Sequence, residues 1–365
     1  MKGPAAALAA PLAAADPEAL AAALAGEATR RLEEMLAGIE AYRRHPYRRT
    51  LRDPPALWRE GTTCLLDYGA RRKDRDAALP ALFVPSLINR AYILDLSRRH
   101  SLMRDLAGRG VRPLLVDWGV PGEEERGFGL DDYVAGRLEA ALDAAVAACG
   151  GPVAVVGYCM GGLLALALAL RRPRDVRGLA LLATPWDFHA DNAAIGRLLA
   201  AAQAPLDMLL ASLGEFPVDL LQTMFTWTEP TLVAGKFRAF ARLDPESPHA
   251  EDFVAIEDWL NDGVPLAAAV ARECLVGWYG DNEPARGAWR VAGTAVRPED
   301  LAVPALVVVP GRDRIVPPAS AAALADAIPG AERLVPRAGH IGMVVGGAAR
   351  ERLWRPLGAW LRARH

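Results

Sequence analysis

The stretch "VAVVGYCMGGLLALALAL", Val153 to Leu170, constrains the fold more tightly than any other part of this chain. Its first six residues form an unbroken apolar run rich in valine, the pattern of a strand buried on both faces. The apolar run that follows the glycines reads as a helix. Between them "GYCMGG" has the G-x-S-x-G spacing of a nucleophile elbow, with Cys159 where serine is usual. Gly157 and Gly161 stand two residues either side of Cys159, and Gly162 relieves crowding where the helix begins. Amide donors and the positive dipole end at that helix start favour a thiolate and an oxyanion. Two readings stay open on these residues alone: a reactive thiol, or a small buried thiol in a glycine-rich packing turn.

A β-α rhythm surrounds this stretch. "PALFVP" (80–85), "VRPLLVDWG", "VRGLALLATP", "VPALVVVPGRD" and "AERLVP" read as strands, and "SLMRDLAGRG" and "LDDYVAGRLEAALDAAVAACG" as helices ending at glycine. The pattern predicts a mostly parallel central sheet with helices on both faces. It breaks between Trp186 and Arg297, where Trp186, Trp227, Trp259, Trp278 and Trp289 lie among short irregular pieces. The expected layout is therefore a disordered Ala/Pro-rich arm (1–15), an N-terminal helix segment (16–50), a core (51–185 and 298–365) and a mainly helical cap insertion (186–297). Asp16-Pro17-Glu18 supplies an N-cap, a first-turn proline and an early acid for that N-terminal helix.

Composition narrows the field. With 365 residues, 52% of them hydrophobic, the chain can bury a sizeable core. A net charge of −2 gives no electrostatic case for a nucleic-acid partner. Cys64, Cys149, Cys159 and Cys274 are widely spaced with no C-x-x-C pair, so neither a zinc site nor a disulfide framework is expected, and no metal. The prolines and Asp16 in the first 17 residues interrupt what would otherwise resemble a signal peptide. No transmembrane segment is expected, and the expected location is cytoplasmic.

An elbow needs partners in the chain order nucleophile, acid, base, each at the end of a later strand. Asp313 follows "ALVVVP" within "PGRDRIVPP", and His340 follows "AERLVP" within "AGHIG". His45, His249 and His365 lie in polar or terminal contexts, His100 near a helix start and His189 at the entrance to the insertion. The order and strand context point to a Cys159–Asp313–His340 triad on an α/β-hydrolase fold. His340 would take the thiol proton while Asp313 fixes the tautomer. The oxyanion donors would be the Met160 N–H and one from the loop after "ALFVP", Leu87 or Ile88. Cys64, Cys149 and Cys274 read as packing residues. A thiolate attacks carbonyl carbon well and also leaves well, which suits passing an acyl group between carriers.

Seven segments in this order resemble polyhydroxyalkanoate synthases, especially the short two-subunit type. They are "FVPSLINRAYILDL", "SLMRDLAGRGVRPLLVDWG", "LDDYV", "GYCMGG", "LLATPWDFHA", "GRDRIVPP" and "GHIGMVVGG", within a resemblance spanning about 45–365. It implies that Cys159, Asp313 and His340 are catalytic, that 3-hydroxyacyl-CoA is polymerised into polyester with release of CoA, and that CoA enters as a thioester substrate, with no cofactor. It further implies a second synthase subunit, a homodimer through the cap and work at the polyester granule surface. The cap segment "WLNDGVPLAAAVARECLVGWYGDN" follows the family only loosely. A depolymerase or thioesterase on the same scaffold is the nearest alternative, and a catalytically silent granule-associated protein a more distant one.

Overall fold

A computed structural model describes residues 15–72, 77–191, 193–228 and 230–364. The expected 1–15 arm lies outside the described residues but for its last position, as does the Trp227 side chain. The chain divides into two compact units, one formed by the N-terminal residues through Arg48 with Glu229–Ala255, the other by Arg49–Thr228 with Ile256–His365. The residues 186–297, expected as one insertion, are thus shared between the units.

In the larger unit the strands β1 (Ala56–Glu60), β2 (Thr63–Asp67), β3 (Leu79–Val84), β4 (Val111–Asp117), β5 (Val153–Tyr158) and β6 (Val176–Leu182) precede the insertion. Four two-residue strands follow: β7 (Glu215–Phe216) pairs with β8 (Leu266–Ala267), and β9 (Arg290–Val291) with β10 (Thr294–Ala295). Then β11 (Ala305–Val308) and β12 (Glu332–Leu334) return to the main sheet. Its order is β1-β2-β4-β3-β5-β6-β11-β12, parallel from β4 to β12, with β2 antiparallel to β4 and β1 antiparallel to β2. The mostly parallel sheet expected from the sequence is the one observed.

Burial explains why these residues take these places. Every residue of β5 is buried, as is every one of β11, so both strands carry side chains that suit an interior on either face. The Met160–Arg171 helix is buried from Met160 through Ala169, consistent with its being apolar all round. The Glu139–Cys149 helix ends where Gly150 takes φ 73°, a left-handed C-cap that a side chain would resist. The chain runs outward from β3 to β4 and then back to β5 on the other side of β3. That reversal opens a crevice between the C-terminal ends of β3 and β5, the place where open α/β sheets bind ligands.

The smaller unit is built on the helix Pro17–Arg44, whose start is capped as expected: Asp16 accepts from the Glu18 N–H at 3.1 Å. Gly38 lets this helix meet Pro230–Phe240, since a Cβ there would come within 2.0 Å of the Phe237 carbonyl oxygen. Phe240, Ala250 and Val254 form its buried centre, and His45 Nε2 hydrogen-bonds the Pro245 carbonyl at 2.8 Å. Among the described residues no helix is long and apolar enough to cross a membrane.

Candidate active site

Cys159 sits at the C-terminal end of β5 with φ 56° and ψ −129°, a backbone conformation that non-glycine residues adopt only under constraint. The constraint is visible. Its N–H donates to the Leu182 carbonyl at 2.9 Å, and its own carbonyl accepts from Gly162 N–H at 2.9 Å. The elbow glycines are required by close approach. A Cβ on Gly157 would lie 2.4 Å from Gly162 Cα, and one on Gly161 2.2 Å from the Val84 carbonyl oxygen. Gly162 faces Thr184 in the same way. The turn therefore presses directly against the end of β3, and the loop after β3 is brought beside Cys159.

Asp313 and His340 leave β11 and β12 at the same edge of the sheet. Asp313 Oδ1 accepts from the N–H groups of Ile315 and Val316, both at 2.9 Å, which fixes the carboxylate and leaves Oδ2 for His340. His340 Nδ1 lies 2.7 Å from Oδ2. Both residues are buried, at 4% and 8% exposure. The Cys159 side chain faces the imidazole closely enough to act on its charge. Burial works against an imidazolium here, but the negative charge at Cys159 and the bond to Asp313 outweigh it, raising the His340 pKa to about 10. Of the sequence-derived trio, Asp313 and His340 are joined by a hydrogen bond, and Cys159 lies within electrostatic reach of His340.

The expected oxyanion donors come from the helix start after Cys159 and from the loop after β3. Met160 opens the helix after Cys159, so its N–H belongs to the first-turn amides that have no partner inside the helix. In the β3 loop, Trp118 Nε1 donates to the Pro85 carbonyl at 3.1 Å and fixes the turn. The Ile88 N–H is already given to Ser86 Oγ at 3.1 Å, whereas the Leu87 N–H donates to no acceptor among the described residues. Of the two, Leu87 is the one whose N–H is left over.

Other cysteines differ from Cys159. Burial pushes the Cys64 thiol up, with the charge of Asp117 adding to it, and burial with Glu273 does the same to Cys274. Both are held as neutral thiols. Cys149 Sγ accepts from Arg112 Nη1 at 3.6 Å.

Sequence reasoning missed three aromatic residues. Tyr158, the residue before Cys159, lies with its ring 5.1 Å from the His340 ring at 29°, and its hydroxyl donates to the His340 carbonyl at 3.3 Å. In the strand pattern it reads only as one more buried position. Tyr279 and Phe188 meet edge to face at 4.7 Å, and His189 Nε2 bonds the Tyr279 carbonyl at 2.9 Å. Burial and then the charge at Cys159 raise the Tyr279 phenol, which places it in the electrostatic surroundings of Cys159. The run of tryptophans in the insertion was the available signal, but it named the region rather than the residue.

Residues 82–346 match the profile of the α/β hydrolase fold family. The chain is 29% identical over 292 residues to the poly(3-hydroxyalkanoate) polymerase subunit PhaC of Allochromatium vinosum, covering 78% of this chain and 81% of that one. It is 29% identical over 295 residues to the subunit of the same name from Synechocystis sp., covering 78% of each. Among solved structures it resembles a thermophilic esterase from Thermogutta terrifontis, at TM-score 0.52 and 19% identity, over 86% of this chain and 100% of that one. Rv0554 from Mycobacterium tuberculosis is alike at TM-score 0.53 and 19% identity, over 82% and 93%. The structural likenesses are of fold, and the resemblance read from the seven segments is matched by the polymerase subunits.

Proposed function

Because the chain belongs to the α/β hydrolase fold family, with polymerase subunits as its curated relatives, we propose that it polymerises 3-hydroxyacyl-CoA through an acyl thioester on Cys159. The observation that carries the reading is a thiol, in place of a hydroxyl, on the strained elbow beside a buried histidine that favours its charged form.

The chemistry follows from those groups. In this reading the proton of Cys159 rests on His340, leaving Cys159 as the nucleophile. Its sulfur attacks the thioester carbonyl, and the N–H groups of Met160 and Leu87 receive the charge that develops on oxygen. The tetrahedral intermediate collapses by breaking the bond to CoA sulfur, and His340 supplies the proton that leaves with CoA. One thioester replaces another, so the step is nearly isoenergetic. His340, now neutral, takes the proton from a 3-hydroxyl whose oxygen attacks the Cys159 acyl group. An ester bond forms, the Cys159 thiolate is released, and the starting arrangement is restored. Asp313 holds Nδ1–H throughout and supports the positive charge. A second synthase subunit, a homodimer through the cap and the granule surface as workplace belong to the same reading.

The acceptor decides between polymerase and hydrolase, since water in place of the 3-hydroxyl would make the same site a thioesterase. Purified protein given 3-hydroxybutyryl-CoA, with and without a candidate second subunit, is expected to release CoA and form polymer. CoA release with free acid as the sole product would overturn polymerisation and leave the thioesterase.

A further inference from the structure

The residue just before the nucleophile has no assigned part in the reaction above. Tyr158 is buried at 4% exposure, so its ring is held by packing and cannot swing aside. It lies nearly parallel to the His340 imidazole, with centroids 5.1 Å apart. Its hydroxyl reaches the carbonyl of the same histidine at 3.3 Å. One side chain thus touches both the ring and the backbone of His340, while Asp313 holds only Nδ1. We infer that Tyr158 is a positioning residue for His340, its face supporting the charged imidazole and its hydroxyl tying down the backbone that carries it.

Two physical effects follow from the contact. The negative face of an aromatic ring attracts a cation lying over it, so the stack favours imidazolium over imidazole. The stack also forbids a ring flip that would exchange Nδ1 and Nε2, which keeps Nδ1 on Asp313 and the other nitrogen toward the sulfur. The hydroxyl must stay protonated to donate. Burial, and then the charges of Cys159 and Asp313, raise the Tyr158 phenol well above its ordinary value, so it does. Because Tyr158 directly precedes Cys159 in β5, the strand that positions the nucleophile also positions its base.

The inference rests on the triad reading but can be tested without the acyl substrate. The rate of Cys159 alkylation by iodoacetamide, followed on the Cys159 peptide by mass spectrometry, reports the thiolate at each pH. Wild type, Tyr158→Phe, Tyr158→Met and His340→Ala are compared. Tyr158→Phe keeps the stack and should keep the alkylation profile, with turnover about threefold lower at unchanged KM from the lost hydroxyl bond. Tyr158→Met removes the ring, and the alkylation midpoint should move up by about one pH unit, roughly a tenfold loss of thiolate on the acid side. A Tyr158→Met profile that matches wild type, while His340→Ala shifts it, would overturn this inference alone. A His340→Ala profile that also matches wild type would overturn the triad with it. Wild-type protein labelled at the histidine ring carbons gives a readout independent of any variant's folding. The His340 ring protons should be displaced upfield by the Tyr158 face, and an undisplaced resonance would overturn the stack.

Discussion

Two buried acid–base pairs hold this sheet at different places, and they differ in what stands third. At the β2–β4 edge, Arg112 Nη2 lies 2.7 Å from Asp67 Oδ2, with both side chains more than nine-tenths buried. Asp67 also accepts from Gly69 N–H at 2.8 Å, and Arg112 Nη1 donates to the Ala148 carbonyl at 3.2 Å, near the end of the Glu139–Cys149 helix. Across the sheet, Asp313 and His340 meet at the same 2.7 Å and are as deeply buried. Arginine cannot give up its proton, and its further partners include the Ala148 carbonyl and the sulfur of Cys149, a thiol at the end of an ordinary helix. Histidine can, and the thiol it faces stands on strained backbone. Burial and distance alone do not separate the two pairs; on the proposed function, the exchangeable proton of His340 does.

The sharpest way to break this contrast is to remove the thiol. Cys159→Ala should abolish CoA release and polymer formation with the fold intact by circular dichroism, whereas Cys64→Ala, Cys149→Ala and Cys274→Ala should each keep turnover. Retained turnover in Cys159→Ala would refute the mechanism. Next, Asp313→Asn should lower kcat by about 10³–10⁴-fold, the loss expected when a histidine is left in the wrong tautomer. The structural pair should respond in the other currency. Arg112→Met leaves Asp67 charged and buried without its partner, and should cost about 3–5 kcal/mol in denaturant unfolding. The Cys159 alkylation profile should stay where it was; a moved profile would show that the two pairs are coupled.

The contrast can also be sharpened through the pH dependence of stability. His340 has its pKa raised in the folded protein, from an ordinary 6.5 to about 10. Its stabilising contribution is therefore complete below about 6.5 and is lost as pH rises through about 10. The Tm advantage of wild type over His340→Gln should shrink across that window. An advantage that grows with pH would reverse the assigned charge state.

Much of this was readable in advance, for physical reasons that particular residues show. The unbroken apolar runs of β5 and β11 signal parallel strands covered on both faces, and the chain order that singles out Asp313 and His340 names two residues that meet at 2.7 Å. The hairpin of β1 and β2 was not read. Its first strand is half exposed, and its turn rests on Gly61 at φ 54°, which gives little periodic signal. Nor was the grouping of Glu229–Ala255 with the N-terminal helix, because nothing local ties Gly38 to Phe237 two hundred residues away. Tyr158 was hidden differently. Strand periodicity states that it is buried, and says nothing about which ring lies over it.

The close approach of Gly161 to β3 has a consequence for how such a catalyst can diversify. The Val84 and Pro85 carbonyls occupy the space a side chain at Gly161 would need. Any larger residue there would pry β3 from β5 before it could reshape the pocket. The elbow is thus a fixed point for evolution or for the engineer, one where catalytic precision and sheet integrity cannot be traded separately. Contacts such as that between Phe188 and Tyr279 are of another kind, since there side chains meet side chains and one can change while its neighbour yields.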